Sequence, residues 1–193
     1  MAAKVTELPC LILGGCRSGK SRLAQGIAAA RGGDQVLFVA TAQVSDPEMA
    51  RRIARHQRDR PATWLTAEAP LNLLAPLQRH SHLPVVLIDC LSLWVANHLL
   101  HRDPPDIAEL EAKLSEHLQQ LLAVAAEQQQ ALILVSNEVG LGVVPPYPLG
   151  RHYRDLLGWI NQQAAHHCPT VLWTVAGIPT PIKAPNLPPQ RFP

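Results

Sequence analysis

Eight consecutive residues constrain this chain more than any others: Gly14-Gly15-Cys16-Arg17-Ser18-Gly19-Lys20-Ser21. They fit G-x-x-x-x-G-K-[ST] at every fixed position. The octet follows a short apolar run, Leu8 to Leu13, and opens a helical pattern from Gly19 to about Arg31. A strand before and a helix after are the setting in which such a loop cradles phosphate. Glycines let backbone N–H groups curl around phosphate oxygens where a side chain would collide. The helix N-terminus adds partial positive charge. Lys20 brings an ammonium to the β- and γ-phosphates, and Ser21 offers a hydroxyl to Mg²⁺. The competing reading, a glycine turn before a surface lysine, leaves that setting unexplained.

Further apolar runs lie at Val36–Ala40, Val85–Ile88, Ala131–Ser136 and Thr170–Ala176. Continuous apolar strands separated by helical patterns predict an α/β fold with a mostly parallel sheet and helices on both faces. Asp46-Pro47 predicts a helix over Glu48 to about Arg58. Asp106 to Glu109 reads as a capping box after Pro104-Pro105. It starts an amphipathic helix carrying Leu110, Leu114, Leu118, Leu121 and Leu122. A last helix is expected over about Arg151 to Ala165. One domain over residues 1–178 and an irregular proline-rich tail over 179–193 are the predicted organisation. At 193 residues the chain is long enough for one self-sufficient core.

Composition excludes several functions. Apolar residues make up 47% and charged residues 17%, so extended disorder is ruled out. A net charge of +2 is too mild for a nucleic-acid binder, and 4% aromatics argue against base-stacking platforms. The cysteines Cys10, Cys16, Cys90 and Cys168 show no C-x-x-C spacing and read as reduced thiols of a cytoplasmic protein. The apolar stretch Leu83–Leu100 is broken by Asp89, Ser92, Asn97 and His98, so no membrane span is expected.

Two features add chemistry to the loop. Asp89 ends an apolar strand, where a phosphate-loop enzyme places the acid that holds Mg²⁺; the alternative is a cap for a helix beginning near Leu91. Arg51, Arg52, Arg55, His56, Arg58 and Arg60 crowd one ten-residue stretch. That stretch could be a solvated helix face, a nucleic-acid patch, or a second phosphate-handling site. Under the last reading, neutral His56 is a competent nucleophile toward phosphorus, with arginines neutralising the attacked phosphate and departing pyrophosphate.

The pattern as a whole resembles a known family. Its marks are GGCRSGKS at Gly14–Ser21, Ala40-Thr41-Ala42-Gln43, and Arg52-Ile53-Ala54-Arg55-His56-Gln57-Arg58-Asp59-Arg60-Pro61. They continue with Trp64, Thr66-Ala67-Glu68, Asn137-Glu138-Val139-Gly140, Arg151-His152-Tyr153-Arg154-Asp155, Gly158 and Asn161-Gln162. Over about residues 9–178 these are similar to the bifunctional adenosylcobinamide kinase / adenosylcobinamide-phosphate guanylyltransferases of cobalamin biosynthesis. The phosphate loop is shared with many kinases, whereas the R-I-x-x-H-x-x-x-R-P and N-E-V-G blocks are far more selective.

The resemblance implies a single RecA-like P-loop NTPase domain, a homotrimer, and Mg²⁺ with ATP and GTP as substrates. It implies phosphorylation of adenosylcobinamide, then transfer of GMP from GTP to adenosylcobinamide phosphate through a histidine–GMP intermediate. Carried over by position, His56 is the nucleophile and Lys20 the catalytic lysine. Gly14, Gly15, Cys16, Arg17, Ser18, Gly19, Lys20 and Ser21 would hold phosphates. Thr41, Ala42, Gln43, Gln57, Arg58, Asp59, Arg60, Glu68 and Asp89 would bind the nucleotide. Ser21 and Asp89 would serve the metal. The rivals from other classes are a small-molecule or nucleoside monophosphate kinase without a covalent step, and a non-enzymatic nucleotide switch. For Glu68 a plain surface carboxylate is the alternative, and for Asn137–Gly140 a simple turn.

Overall fold

Apolar strands need cover on both faces, and the chain supplies it unequally. The computed structural model describes residues 7–58, 60–101 and 106–185. Asp59, the Pro104-Pro105 pair and residues 186–193 of the proline-rich tail lie outside the described residues. The strands are β1 (Cys10–Gly14), β2 (Val36–Ala40), β3 (Leu65–Glu68), β4 (Val85–Asp89), β5 (Ala131–Asn137), β6 (Thr170–Val175) and β7 (Ile178–Lys183). The helices are α1 (Lys20–Gly32), α2 (Pro47–Arg58), α3 (Leu74–Arg79), α4 (Leu91–Leu100), α5 (Ile107–Glu127) and α6 (Pro148–His167). The sheet order is β3-β2-β4-β5-β1-β6-β7. All pairings are parallel except β6 with β7.

Alternate residues of each central strand feed two cores. Leu11, Leu13, Leu37, Val39, Leu132 and Leu134 pack with side chains of α3, α4, α5 and α6. Cys10, Ile12, Phe38, Leu87, Ile133 and Val135 pack against Ala24, Ile27 and Ala28 of α1. Each fully buried leucine or isoleucine contributes roughly 1.5–3 kcal/mol. By contrast, α2 buries none of its described side chains. The strand that carries the phosphate loop, β1, and the strand that carries Asp89, β4, are not neighbours: β5 lies between them. That insertion, with the phosphate loop at the end of β1, makes this a RecA-like P-loop domain.

The predicted strands and helices stand within a few residues of their expected places. Asp106 caps α5 by accepting from the Glu109 N–H at 3.1 Å. Asp46 accepts from Met49 N–H at 2.8 Å at the start of α2. At the sheet edges one strand, β3, is additional to those expected, and one expectation is corrected. β3 has no apolar run, because three of its four residues are exposed. Residues 178–183 are not irregular: they form β7, so the domain boundary at 178 falls too early. Pro179 and Pro181 are tolerated because β7 is an edge strand with solvent on one side. Ala176 (φ 52°) and Gly177 (φ 80°) turn β6 into β7, the paired positive φ of a tight hairpin. Lys183 Nζ then donates to the Ala165 and His166 carbonyls at the end of α6, at 2.7 and 3.0 Å.

A polar cluster ties the loop before α3 to α4 and α5. Trp94 Nε1 donates to Leu71 O at 2.9 Å, and His98 Nε2 lies 3.0 Å from the same oxygen. Leu73 N–H donates to His117 Nε2 at 3.1 Å, so that nitrogen carries no proton. Burial, then the neighbouring His98 and Lys113, push the His117 pKa down to about 4. The folded state therefore binds fewer protons than the unfolded chain between pH 6.5 and about 4. Stability should be greatest above pH 6.5 and fall as the pH drops toward 4. The slope should be below about 1.4 kcal/mol per pH unit, since the ring is only half-buried. Denaturant titrations at pH 7.5 and 5 should show this loss in the wild type and less of it in His117→Gln, whose amide oxygen still accepts from Leu73.

Candidate active site

At the carboxyl end of β1 the chain must turn sharply around open backbone. Gly14 permits this: a Cβ there would meet Ser18 Oγ and Thr174 O, each at 2.5 Å. Gly19 adopts φ 95° and starts α1. Lys20 Nζ donates to Gly15 O at 3.1 Å, which holds the ammonium across the mouth of the loop. A brace comes from far along the sequence. Gly177 N–H of the β6–β7 turn donates to Ser18 O at 2.8 Å. A Cβ on Gly19 would lie 3.0 Å from Gly177 Cα, so two glycines let the hairpin and the loop touch. Cys16 and Arg17 at the tip are exposed.

Asp89 closes the site from β4. Ser21 donates a hydrogen bond to its carboxylate, and Lys20, His56 and Arg60 all lie close enough to stabilise its charge. Burial still dominates and pushes the Asp89 pKa up, while those groups pull it down. Asp89 does not cap α4. The residue at that helix's N-cap is Cys90, and no side chain bonds there. A hydroxyl and a carboxylate are hard oxygen donors of the kind Mg²⁺ takes alongside phosphate oxygens. No group of three His, Cys, Asp or Glu side chains among the described residues could cage a metal by itself.

His56 sits in the last turn of α2, half-buried and electrostatically coupled to Asp89. Arg60 fastens that end of the helix. Its Nε donates to His56 O at 3.0 Å, and its Nη1 donates to Thr66 Oγ1 at 3.2 Å. Its guanidinium stacks 4.0 Å from the centre of the Phe38 ring. Burial lowers the Arg60 pKa, and Asp89 opposes the shift. Gln57, Arg58, Arg60, Trp64 and Thr66 line a cleft of ≈ 400 Å³ beside the histidine. Asp59 lies outside the described residues.

The remaining expected residues divide. Ala40 stands level with Glu68 on one side and Asp89 on the other, so the two acids flank the end of β2. Glu68 is exposed and Asp89 is partly buried. Thr41 is fully buried, and its hydroxyl accepts from Cys90 N–H at 2.7 Å and donates to Cys90 O at 2.8 Å. That hydroxyl is committed to fixing the end of β4. Ala42 is partly buried and Gln43 exposed. Near the loop, Ser18 Oγ, Ser136 Oγ, Asn137 Oδ1 and Thr174 Oγ1 are buried without protein partners. Orphaned polar atoms cost about 1–3 kcal/mol each, and these gather near the carboxyl ends of β1, β5 and β6, the end of a parallel sheet at which α/β proteins bind ligands. The sequence reasoning named no site role for Gly177 or for Glu138 individually. The N-E-V-G block was the one signal that pointed to Glu138.

Comparisons with known proteins identify the family. The family model described as cobinamide kinase / cobinamide phosphate guanyltransferase matches residues 10–182. The chain is 48% identical over 174 residues to the bifunctional adenosylcobalamin biosynthesis protein CobP of Pseudomonas aeruginosa, covering 90% of this chain and 96% of that one. It is 39% identical over 188 residues to the bifunctional adenosylcobalamin biosynthesis protein CobU of Salmonella typhimurium, covering 90% and 98%. Among solved structures, the flagellar accessory protein FlaH of Methanocaldococcus jannaschii aligns with a TM-score of 0.47 at 15% identity, covering 91% of this chain and 77% of that one. The RadB recombinase aligns with a TM-score of 0.48 at 18% identity, covering 85% and 72%. With the family model spanning the sheet from β1 into β7 and relatives matched over nearly their full length, the chain belongs to the cobinamide kinase / cobinamide phosphate guanyltransferase family.

Proposed function

We propose that this protein phosphorylates adenosylcobinamide with a nucleoside triphosphate and then transfers GMP from GTP to adenosylcobinamide phosphate through a His56–GMP adduct. The observation that carries the reading is the convergence of His56 with Lys20, Ser21, Asp89 and Arg60 at one strand-end cluster. A phosphate loop alone accounts for a kinase. A histidine held beside it by Arg60 accounts for a second, covalent reaction.

In the kinase step, the loop N–H groups and Lys20 neutralise charge on the phosphoryl group as it moves to the substrate hydroxyl. Mg²⁺, held by Ser21 and Asp89, would supply further charge neutralisation at the phosphates. In the second reaction a ring nitrogen of His56 attacks the α-phosphorus of GTP. A P–N bond forms as the P–O bond to pyrophosphate breaks. A phosphate oxygen of adenosylcobinamide phosphate then attacks the same phosphorus, the P–N bond breaks, and His56 is regenerated. Two displacements replace one harder step. Arg58 and Arg60 would neutralise the triphosphate. The cleft lined by Gln57, Arg58, Trp64 and Thr66 supports guanine binding there, and the family resemblance adds Glu68, Ala42 and Gln43 to the nucleotide contacts.

No described helix is long and apolar enough to cross a membrane. A cytoplasmic homotrimer follows from the family resemblance, and light scattering of the purified protein should give three chains per particle.

Three substitutions test the reading. Incubation with α-labelled GTP should leave acid-labile, base-stable label on wild-type protein. His56→Ala should abolish that label and GMP transfer while retaining measurable phosphorylation of cobinamide; a labelled His56→Ala protein would assign the covalent step elsewhere. Lys20→Ala should depress both activities by about 10²-fold or more, since it removes the charge facing the β- and γ-phosphates. Rates within twofold of wild type would remove the phosphate loop from the mechanism. Asp89→Asn should lower activity and raise the Mg²⁺ concentration needed for half-saturation, read from initial rates across a Mg²⁺ series.

A further inference from the structure

The strand between the phosphate loop and Asp89, β5, is followed at once by a carboxylate with no assigned role, Glu138. Gly14 lies level with Asn137, and Asp89 lies level with Val135. The next residue, Glu138, therefore stands one position beyond the start of the loop and three beyond the metal acid, between them. Its backbone N–H donates to Gly14 O at 3.3 Å, which fixes it against the loop. It is half-buried.

The side chain is tied by one of its two oxygens. Glu138 Oε1 accepts a hydrogen bond from Gly140 N–H. A Cβ on Gly140 would lie 2.7 Å from that oxygen, so the glycine is what lets the carboxylate occupy this position. Arg154 Nη2 of α6 donates to Gly140 O at 2.8 Å and anchors the turn from behind. The other carboxylate oxygen, Oε2, has no hydrogen-bond partner among the described residues. The competing acids are differently placed. Asp89 is engaged by Ser21 and ringed by Lys20, His56 and Arg60. Glu68 is exposed on β3, at the far edge of the sheet from β1.

We propose that Glu138 is the catalytic base of the kinase reaction, accepting the proton of the substrate hydroxyl as its oxygen attacks the γ-phosphorus. The new bond joins the hydroxyl oxygen to phosphorus. The bond between the γ-phosphorus and its bridging oxygen breaks, the nucleoside diphosphate leaves, and the proton passes to Oε2. A base held in fixed geometry beside the phosphate loop contributes without reorganisation when the acceptor arrives. The guanylylation of His56 needs no such base, because a neutral imidazole nitrogen attacks directly. Glu138 therefore distinguishes the two reactions of one site.

The inference rests on the kinase activity proposed above, and wild-type turnover in the same assay separates failure of that reading from failure of this one. Glu138→Gln keeps an Oε1 that accepts from Gly140 N–H and removes the basic oxygen. It should lower the kinase kcat by about 10²–10⁴-fold, with the KM for nucleotide within about threefold of wild type. Labelling by α-labelled GTP should proceed within about threefold of the wild-type rate. Gly140→Ala is the second arm: it keeps the carboxylate but displaces it, and should show the same selective kinase loss. A Glu138→Gln protein with wild-type kinase turnover would overturn the proposal. So would parallel loss of both reactions in the two variants, which assigns Glu138 and Gly140 to the structure of the turn alone.

Discussion

The hydroxyl of Ser21 and the carboxylate of Asp89 meet across an intervening strand, and the rest of the site is arranged around that contact. Taking a carboxylate partly out of water is costly unless it is hydrogen-bonded and faced by opposite charge. Ser21 supplies the bond; Lys20, His56 and Arg60 supply the charge. The same groups that make the acid tolerable are the ones proposed to handle phosphates. Each comes from a different part of the frame: the start of α1, the end of α2 and the segment just past it. Holding them together requires the β1–β5–β4 order, which sets the phosphate loop and Asp89 two strands apart, roughly 9–10 Å in the hydrogen-bonding direction.

The helix bearing His56 is attached in another way. Core helices such as α5 are held by apolar burial, with Leu114, Leu118 and Leu121 fully inside. None of the described α2 side chains is buried, and α2 depends on polar contacts at its ends. Asp46 fixes the start, and Arg60 grips the carbonyl of His56 while resting on Phe38. Arg60 thus does two things with one guanidinium: it fixes the backbone of His56 and leaves positive charge beside the acid. A lysine there could not stack flat on the ring and donate from two nitrogens in one plane.

Much of this was legible in the sequence because it is local. A phosphate loop is a run of eight residues whose spacing is dictated by backbone curvature. Apolar runs such as Val85–Ile88 mark strands covered on both faces. Asp106 and Asp46 announce their helices by short-range capping. The edges were illegible for a physical reason. β3 needs neither apolar alternation nor burial on its outer side, and β7 carries two prolines that read as a breaker until the vacant side of an edge strand is known. Of the site residues, Thr41 was grouped with the nucleotide contacts by its place in a motif, whereas its hydroxyl is spent on Cys90.

By itself the sequence determined the phosphate loop, the class of fold, the acid at the end of β4 and the histidine within its basic block, because each depends on neighbours a few positions away. Only the tertiary structure decided which of these meet. Gly177 reaches Ser18 across 159 positions of sequence to brace the loop. Glu138 becomes a candidate base only once β5 is seen to lie between β1 and β4. The brace and the base both follow from strand order, and strand order is set by how the whole sheet buries its two faces, which no short stretch of chain encodes.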